Sequence, residues 1–136
     1  MSYLLDTDIC IFWLKSHPAI KERLLAVGWN QVSICVVTVA ELYYGAYNSS
    51  RVAENLVQVE RFVQQLPVVP LQDHALNHFG EIKTTLRRQG GQSLPDFDLL
   101  IASVALAKDC VLVTNNLRHY QRITGLRVET WIPPDC

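Results

Sequence analysis

Short, nearly unbroken apolar runs alternate along this chain with longer stretches of helical period. The runs are YLL at 3–5, VSICVV at 32–37, VVPL at 68–71, VLV at 111–113 and RVETW at 127–131. Between them, residues 39–47 place Leu42, Tyr43 and Ala46 on one side, and residues 52–66 repeat Leu56, Val59, Val63 and Leu66 at steps of three or four. Residues 73–89 carry the stripe Ala75, Leu76, Phe79, Ile82 and Leu86, and residues 96–108 carry Leu99, Leu100, Ala102, Ser103 and Leu106. Five strands alternating with helices predict βαβ units, hence an α/β fold with a mainly parallel sheet and helices on both faces. The strands read as continuous apolar runs because such a sheet is buried on both sides. No internal repeat interrupts the pattern; QGGQS at 89–93 reads as a loop within one unit.

In open parallel sheets, sites form outside the carboxyl ends of the strands. The polar residues that follow the apolar runs are therefore the first candidates. Asp6 follows the first run directly and also suits a helix cap. Glu41 follows the second, with Thr38 three residues before it in capping-box spacing, a structural alternative for this acid. Asp98 sits on the first turns of an almost wholly apolar helix, where Asp96 can serve as the cap and leaves Asp98 without a structural duty. The fourth place is Thr114-Asn115-Asn116, after CVLV. Carboxylates gathered at one edge repel one another unless a cation joins them. Oxygen ligands without a partnering His or Cys suit Mg2+ or Mn2+, and such an ion points to phosphoryl chemistry.

Composition narrows the picture. A chain of 136 residues that is 49% hydrophobic and 18% charged predicts one domain over 1–136 with a core large enough to need no staple. The net charge of −1, from 12 basic and 13 acidic residues, excludes a uniformly basic nucleic-acid binder, so any such contact must be local. Cys10, Cys35, Cys110 and Cys136 show no metal-binding spacing, and three of them lie in apolar runs, which predicts a reducing, cytoplasmic setting. No signal peptide and no membrane helix are expected.

Taken in order, LLDTDI, TVAELYYG, PDFDLLIASVAL and LVTNN followed by RHYQRI and GLRVETW resemble the PIN-domain ribonucleases, specifically the VapC toxins of bacterial toxin–antitoxin pairs. The resemblance covers essentially the whole chain. It implies a PIN-like α/β/α sandwich with a mainly parallel five-stranded sheet that cuts RNA with Mg2+ or Mn2+. Asp6, Glu41 and Asp98 fall on the family's principal metal-site acids, and Asn116 falls where many relatives carry a fourth acid. Thr7 and Thr114 match neighbouring polar positions that order the site. Asp8 and Asp96 stand beside these acids as outer-shell candidates rather than ligands. A divalent ion would activate water for in-line attack and leave a 5′-phosphate.

Around the predicted site, no acid occurs from Asn115 to Val128, whereas Arg118, His119, Arg122 and Arg127 accumulate there. Arg118 and Arg122 are read as phosphate contacts, and Arg87, with Lys83, as a further basic face. Tyr120 has two readings, stacking on a base or packing. His17, His74 and His78 are read as surface or structural. Exposed aromatics would mark partner surfaces, for which the resemblance supplies a VapB-like antitoxin over the amino-terminal helices and a second copy forming a homodimer. Two rivals fit less of the chain. A haloacid-dehalogenase-like phosphatase would use Asp6 of the DxD as nucleophile but needs a later Lys and acidic pair, and a non-catalytic PIN-like binding module would not require the acids.

Overall fold

The computed structural model describes residues 2–134; Cys136 lies outside the described residues. Five short strands form the sheet: β1 (Tyr3–Leu5), β2 (Val32–Cys35), β3 (Val68–Val69), β4 (Val111–Val113) and β5 (Val128–Glu129). Their order is β3-β2-β1-β4-β5, and every pairing is parallel. The helices are α1 (Thr7–Leu14), α2 (Pro18–Val27), α3 (Val36–Tyr47), α4 (Val52–Gln64), α5 (Asp73–Gln89), α6 (Asp96–Ala107) and α7 (Leu117–Tyr120), with a 3-10 turn at Trp29–Gln31.

Side chains of successive strand residues leave the sheet on opposite faces, and the core divides accordingly. Leu4, Cys35 and Leu112 join Leu86 of α5 and the apolar face of α6 on one side. Leu5, Ile34 and Val113 join α1, α2, α3 and α4 on the other. Leu4, Leu5 and Leu112 are fully buried, and each such side chain contributes about 1.5–3 kcal/mol by leaving water. This two-sided burial is the reason the strands carry no alternation of polar and apolar residues. Ser103, buried inside α6, is satisfied by donating to the Leu99 carbonyl at 2.7 Å.

Several expected boundaries shift. The second apolar run is strand only as far as Cys35; Val36 and Val37 already belong to α3, whose N-cap is Cys35. Thr38 therefore lies inside the helix and does not cap it, and no capping box forms with Glu41. Asp96 is likewise not a cap: Pro95 holds that position and Asp96 pairs with Lys83 at 2.9 Å. The third and fifth runs pair over two residues each. The aromatic-rich stretch after Asp6 forms α1, and His17 caps α2 by accepting from the Ala19 N–H at 3.2 Å, the structural role read for it. Among the described residues, no helix is long and apolar enough to cross a membrane.

The strand order places the site. The chain builds outward through β1, β2 and β3, then returns to lay β4 against the free side of β1. The reversal lies between β1 and β4, and the residues leaving their carboxyl ends are Asp6 and Thr114.

Candidate active site

Asp6 extends β1 by one bond, its N–H donating to the Val113 carbonyl at 2.8 Å, and then caps α1. Its side chain is 6% exposed and has three donors. The Thr7 N–H donates to Oδ1 at 2.8 Å, while the Thr114 and Tyr120 hydroxyls each donate to Oδ2 at 2.9 Å. Thr114 is itself braced, accepting from the Asn116 N–H at 3.1 Å. Burial raises the Asp6 pKa, and the three donors pull against that rise. Asp8 turns back to the same edge, accepting from the Asn115 N–H at 3.0 Å. Burial, then the neighbouring Asp6 charge, pushes its pKa up to about 6.

Glu41 reaches the cluster from the second turn of α3. Its Oε1 accepts from the Thr7 hydroxyl at 2.6 Å, and that hydroxyl lies 3.1 Å from the fully buried Thr38 hydroxyl. Burial raises the Glu41 pKa, and the charges of Asp98 and Asp6 add to the rise. Asp98 enters from the first turn of α6; its Oδ2 lies 2.7 Å from His119 Nε2. Asp6, Glu41 and Asp98 thus come from three distant helix starts and sense one another's charge.

Two residues of α7 meet the acids in a way the sequence did not specify: it placed His119 only in a basic run and left Tyr120 between stacking on a base and packing. His119 meets Asp98. Tyr120 does not stack outward: it is 2% exposed, donates to Asp6, and its own pKa is driven up by burial and by the surrounding acids. The available signal was position, since RHYQRI follows directly on the strand-end motif at 114–116. Arg122 is also placed otherwise than as a free phosphate contact, because its guanidinium donates to the carbonyls of Leu86, Gly90 and Gln92. Arg118 and Arg87 are exposed. Asn116 is exposed, and its side chain accepts or donates no hydrogen bond among the described residues.

Whether this donor set fits a metal is decided by its chemistry. No Lys or Arg pairs with Asp6, Asp8, Glu41 or Asp98 among the described residues. Buried and half-buried carboxylates that repel one another, with only His119 against Asp98 to offset their charge, fit a hard divalent cation. Among the described residues, no three of these groups already stand as a ligating cage.

The PIN-domain family profile matches residues 3–125. The chain belongs to the PIN-domain family. Nucleases of this family work with divalent cations, which agrees with the acid cluster. The chain is 40% identical to the tRNA(fMet)-specific endonuclease VapC of Shigella flexneri over 134 residues, covering 96% of this chain and 98% of that protein. It is 38% identical to ribonuclease VapC2 of Haemophilus influenzae, covering 97% and 99%. The structure of DNA-bound VapBC from Salmonella typhimurium superposes with a TM-score of 0.90 at 38% identity, covering 97% of this chain and 99% of that one. The parallel α/β sheet expected from the strand pattern, and the PIN fold implied by the resemblance, are thus the fold observed.

Proposed function

We propose that this chain is a metal-dependent endoribonuclease of the VapC type, acting as a single PIN domain over residues 1–136 and cutting structured RNA such as transfer RNA. The observation that carries the reading is the convergence of Asp6, Glu41 and Asp98 at the β1–β4 reversal with no Lys or Arg paired to them among the described residues, His119 alone meeting Asp98. Mg2+ or Mn2+ is the ion such oxygen donors select, with Asp6, Glu41 and Asp98 holding it. When bound, such an ion activates water as the nucleophile and offsets charge on the phosphate.

The chain's own groups do the remaining work. Thr114 and Tyr120 fix the Asp6 carboxylate, and Thr7 fixes Glu41 while its N–H steadies Asp6. Glu41 Oε2 and Asp98 Oδ1 accept no hydrogen bond among the described residues, which leaves each an oxygen to orient water. Burial raises the Glu41 pKa, which suits this carboxylate to accept a proton from that water. Asn116 leaves the fourth place uncharged, which weakens any second ion.

A VapB-like antitoxin as the silencing partner follows from the VapBC complexes to which the chain is similar. A groove lined by Ile11, Leu14, Leu42, Ala46 and Val59 opens beside Glu41, so a segment seated there reaches the Glu41 edge of the acid cluster. Tyr44 and Tyr47, exposed on α3, extend the apolar surface and offer a place for a second copy. The buried thiols Cys10, Cys35 and Cys110 support a reducing, cytoplasmic setting.

The test is cleavage of transfer RNA with Mg2+ or Mn2+ by the wild type, by Asp6→Asn and by the wild type in EDTA. Cleavage by the first alone is expected. Activity that survives both EDTA and the substitution overturns the reading.

A further inference from the structure

A cavity of about 340 Å³ adjoins the acid cluster, between the loop at 89–94 and the segment at 118–122. His119 is the wall the two share: it lines the cavity, and its Nε2 meets Asp98. Whatever occupies the cavity therefore lies one side chain away from the acids. The volume is at the lower end of the range for small-ligand sites, roughly 300–1,000 Å³, and suits one nucleobase with its sugar.

The walls are built for a polar, anionic guest. Arg118 lines the cavity, is exposed, and makes no ion pair or hydrogen bond through its side chain among the described residues. Arg122 braces the opposite wall. Its Nη1 donates to the Gln92 carbonyl at 2.6 Å, and its Nη2 donates to the carbonyls of Gly90 at 2.6 Å and Leu86 at 3.2 Å. One cation thus holds the end of α5 and the loop together. Gly90 and Gly91, at φ 75° and 85°, make the left-handed turn that lets the loop reach it. Gln89 at the end of α5, with Gln92 and Ser93 of this loop, lines the cavity and brings groups that can hydrogen-bond a base edge. On the far side of the same loop, a second hollow is lined by Lys83 and Arg87. Lys83 is paired with Asp96, whereas Arg87 has no side-chain partner among the described residues.

A phosphodiester approaching four carboxylates is repelled by them, and positive charge nearby offsets that repulsion. Arg118 supplies it across the His119 wall. We propose that this cavity seats the nucleotide adjoining the phosphodiester that is cut, with Arg118 on its phosphate and the side chains of Gln89, Gln92 and Ser93 against its base. The single strand then passes over the loop toward Arg87. Arg122 is a positioning residue, acting on RNA through the loop it holds. The proposal rests on the ribonuclease reading and adds to it the place where nucleotide identity is read.

The experiment uses the full chain and labelled random-sequence oligoribonucleotides in EDTA, with binding followed by fluorescence anisotropy. Arg118→Glu reverses the proposed phosphate contact, and Ser93→Trp fills the cavity from an exposed loop position. Each is expected to weaken binding about fivefold or more. Arg88→Glu makes the same change of charge on α5 outside the cavity lining and is expected to weaken binding no more than about twofold. Melting curves show whether each variant is folded. Equal binding by wild type, Arg118→Glu and Ser93→Trp overturns the proposal, as does an effect of Arg88→Glu as large as theirs. In a second arm, a random RNA pool is cut with Mn2+ and the new ends are sequenced. Ser93→Trp is expected to change the nucleotide bias beside the cut, and an unchanged bias overturns the proposal. A wild type that cuts no RNA overturns the ribonuclease reading instead, and the binding arm still judges the cavity.

Discussion

Asp6 and Asp98 are both acids of the cluster, yet the protein holds them in different ways. Asp6 lies on the floor, buried where β1 meets β4, with one donor on Oδ1 and two on Oδ2. Asp98 lies on the rim, partly exposed, with His119 as its one side-chain partner among the described residues. Oδ2 of Asp6 has both in-plane lone pairs engaged, so an approaching cation finds its free lone pair on Oδ1. The floor is thus ordered before any ligand arrives, whereas the rim can adjust to what binds. Preorganised donors cost nothing at the moment of reaction, and a movable rim admits a bulky substrate.

That contrast sets an order of effects. Asp6→Asn removes the floor ligand, and divalent affinity measured by calorimetry is expected to fall more than about 100-fold, beyond the loss usual for residues behind a ligand. Tyr120→Phe keeps the ring in the core but takes one donor from Oδ2. Its Mn2+ affinity is expected to fall about tenfold, with His119→Ala on the rim falling less than about threefold. Equal losses in the two variants would erase the distinction between floor and rim.

Acidity sharpens the comparison further. Asp8 titrates at about 6 in the folded protein, above its ordinary 3.8, so folding takes up a proton between these values. The sign follows: the metal-free protein loses stability as pH rises through that window, and the raised pKa values of Asp6 and Glu41 act in the same direction. Melting temperature in EDTA is expected to fall from pH 4 to pH 7 by less in Asp8→Asn than in the wild type, and Mn2+ is expected to restore part of the loss at pH 7. A melting temperature in EDTA that climbs steadily with pH would contradict a repulsive cluster. The smallest effect belongs to Asn116, whose side chain makes no hydrogen bond among the described residues: Asn116→Ala is expected to change Mn2+ affinity by no more than about twofold.

Much of this arrangement was legible from residue order. Apolar runs without alternation can be buried only on both faces, which dictates a parallel sheet under two helical layers, and strand ends in such a sheet are where polar residues matter. Asp6, Glu41, Asp98 and Thr114 were therefore visible. Caps were less so: Thr38 with Glu41 has the spacing of a capping box, but the helix starts at Val36, because β2 ends once Cys35 is paired and the chain turns at once. Spacing along the chain does not say where a turn begins.

What residue order by itself determined is the period of the elements, the class of the fold and the acids at the strand ends, since these depend on local chemistry and on the two-sided burial it demands. Only the tertiary structure decided which side chains stand behind those acids. Tyr120 lies 114 residues from Asp6, His119 lies 21 from Asp98, and Arg122 reaches carbonyls 30 to 36 residues away. Such pairs are fixed by strand order and helix docking, and no local pattern encodes them. The same physics turned Arg122 of the basic run after Asn115 into a brace and His119 into a cavity wall, and left Arg118 exposed without a side-chain partner among the described residues.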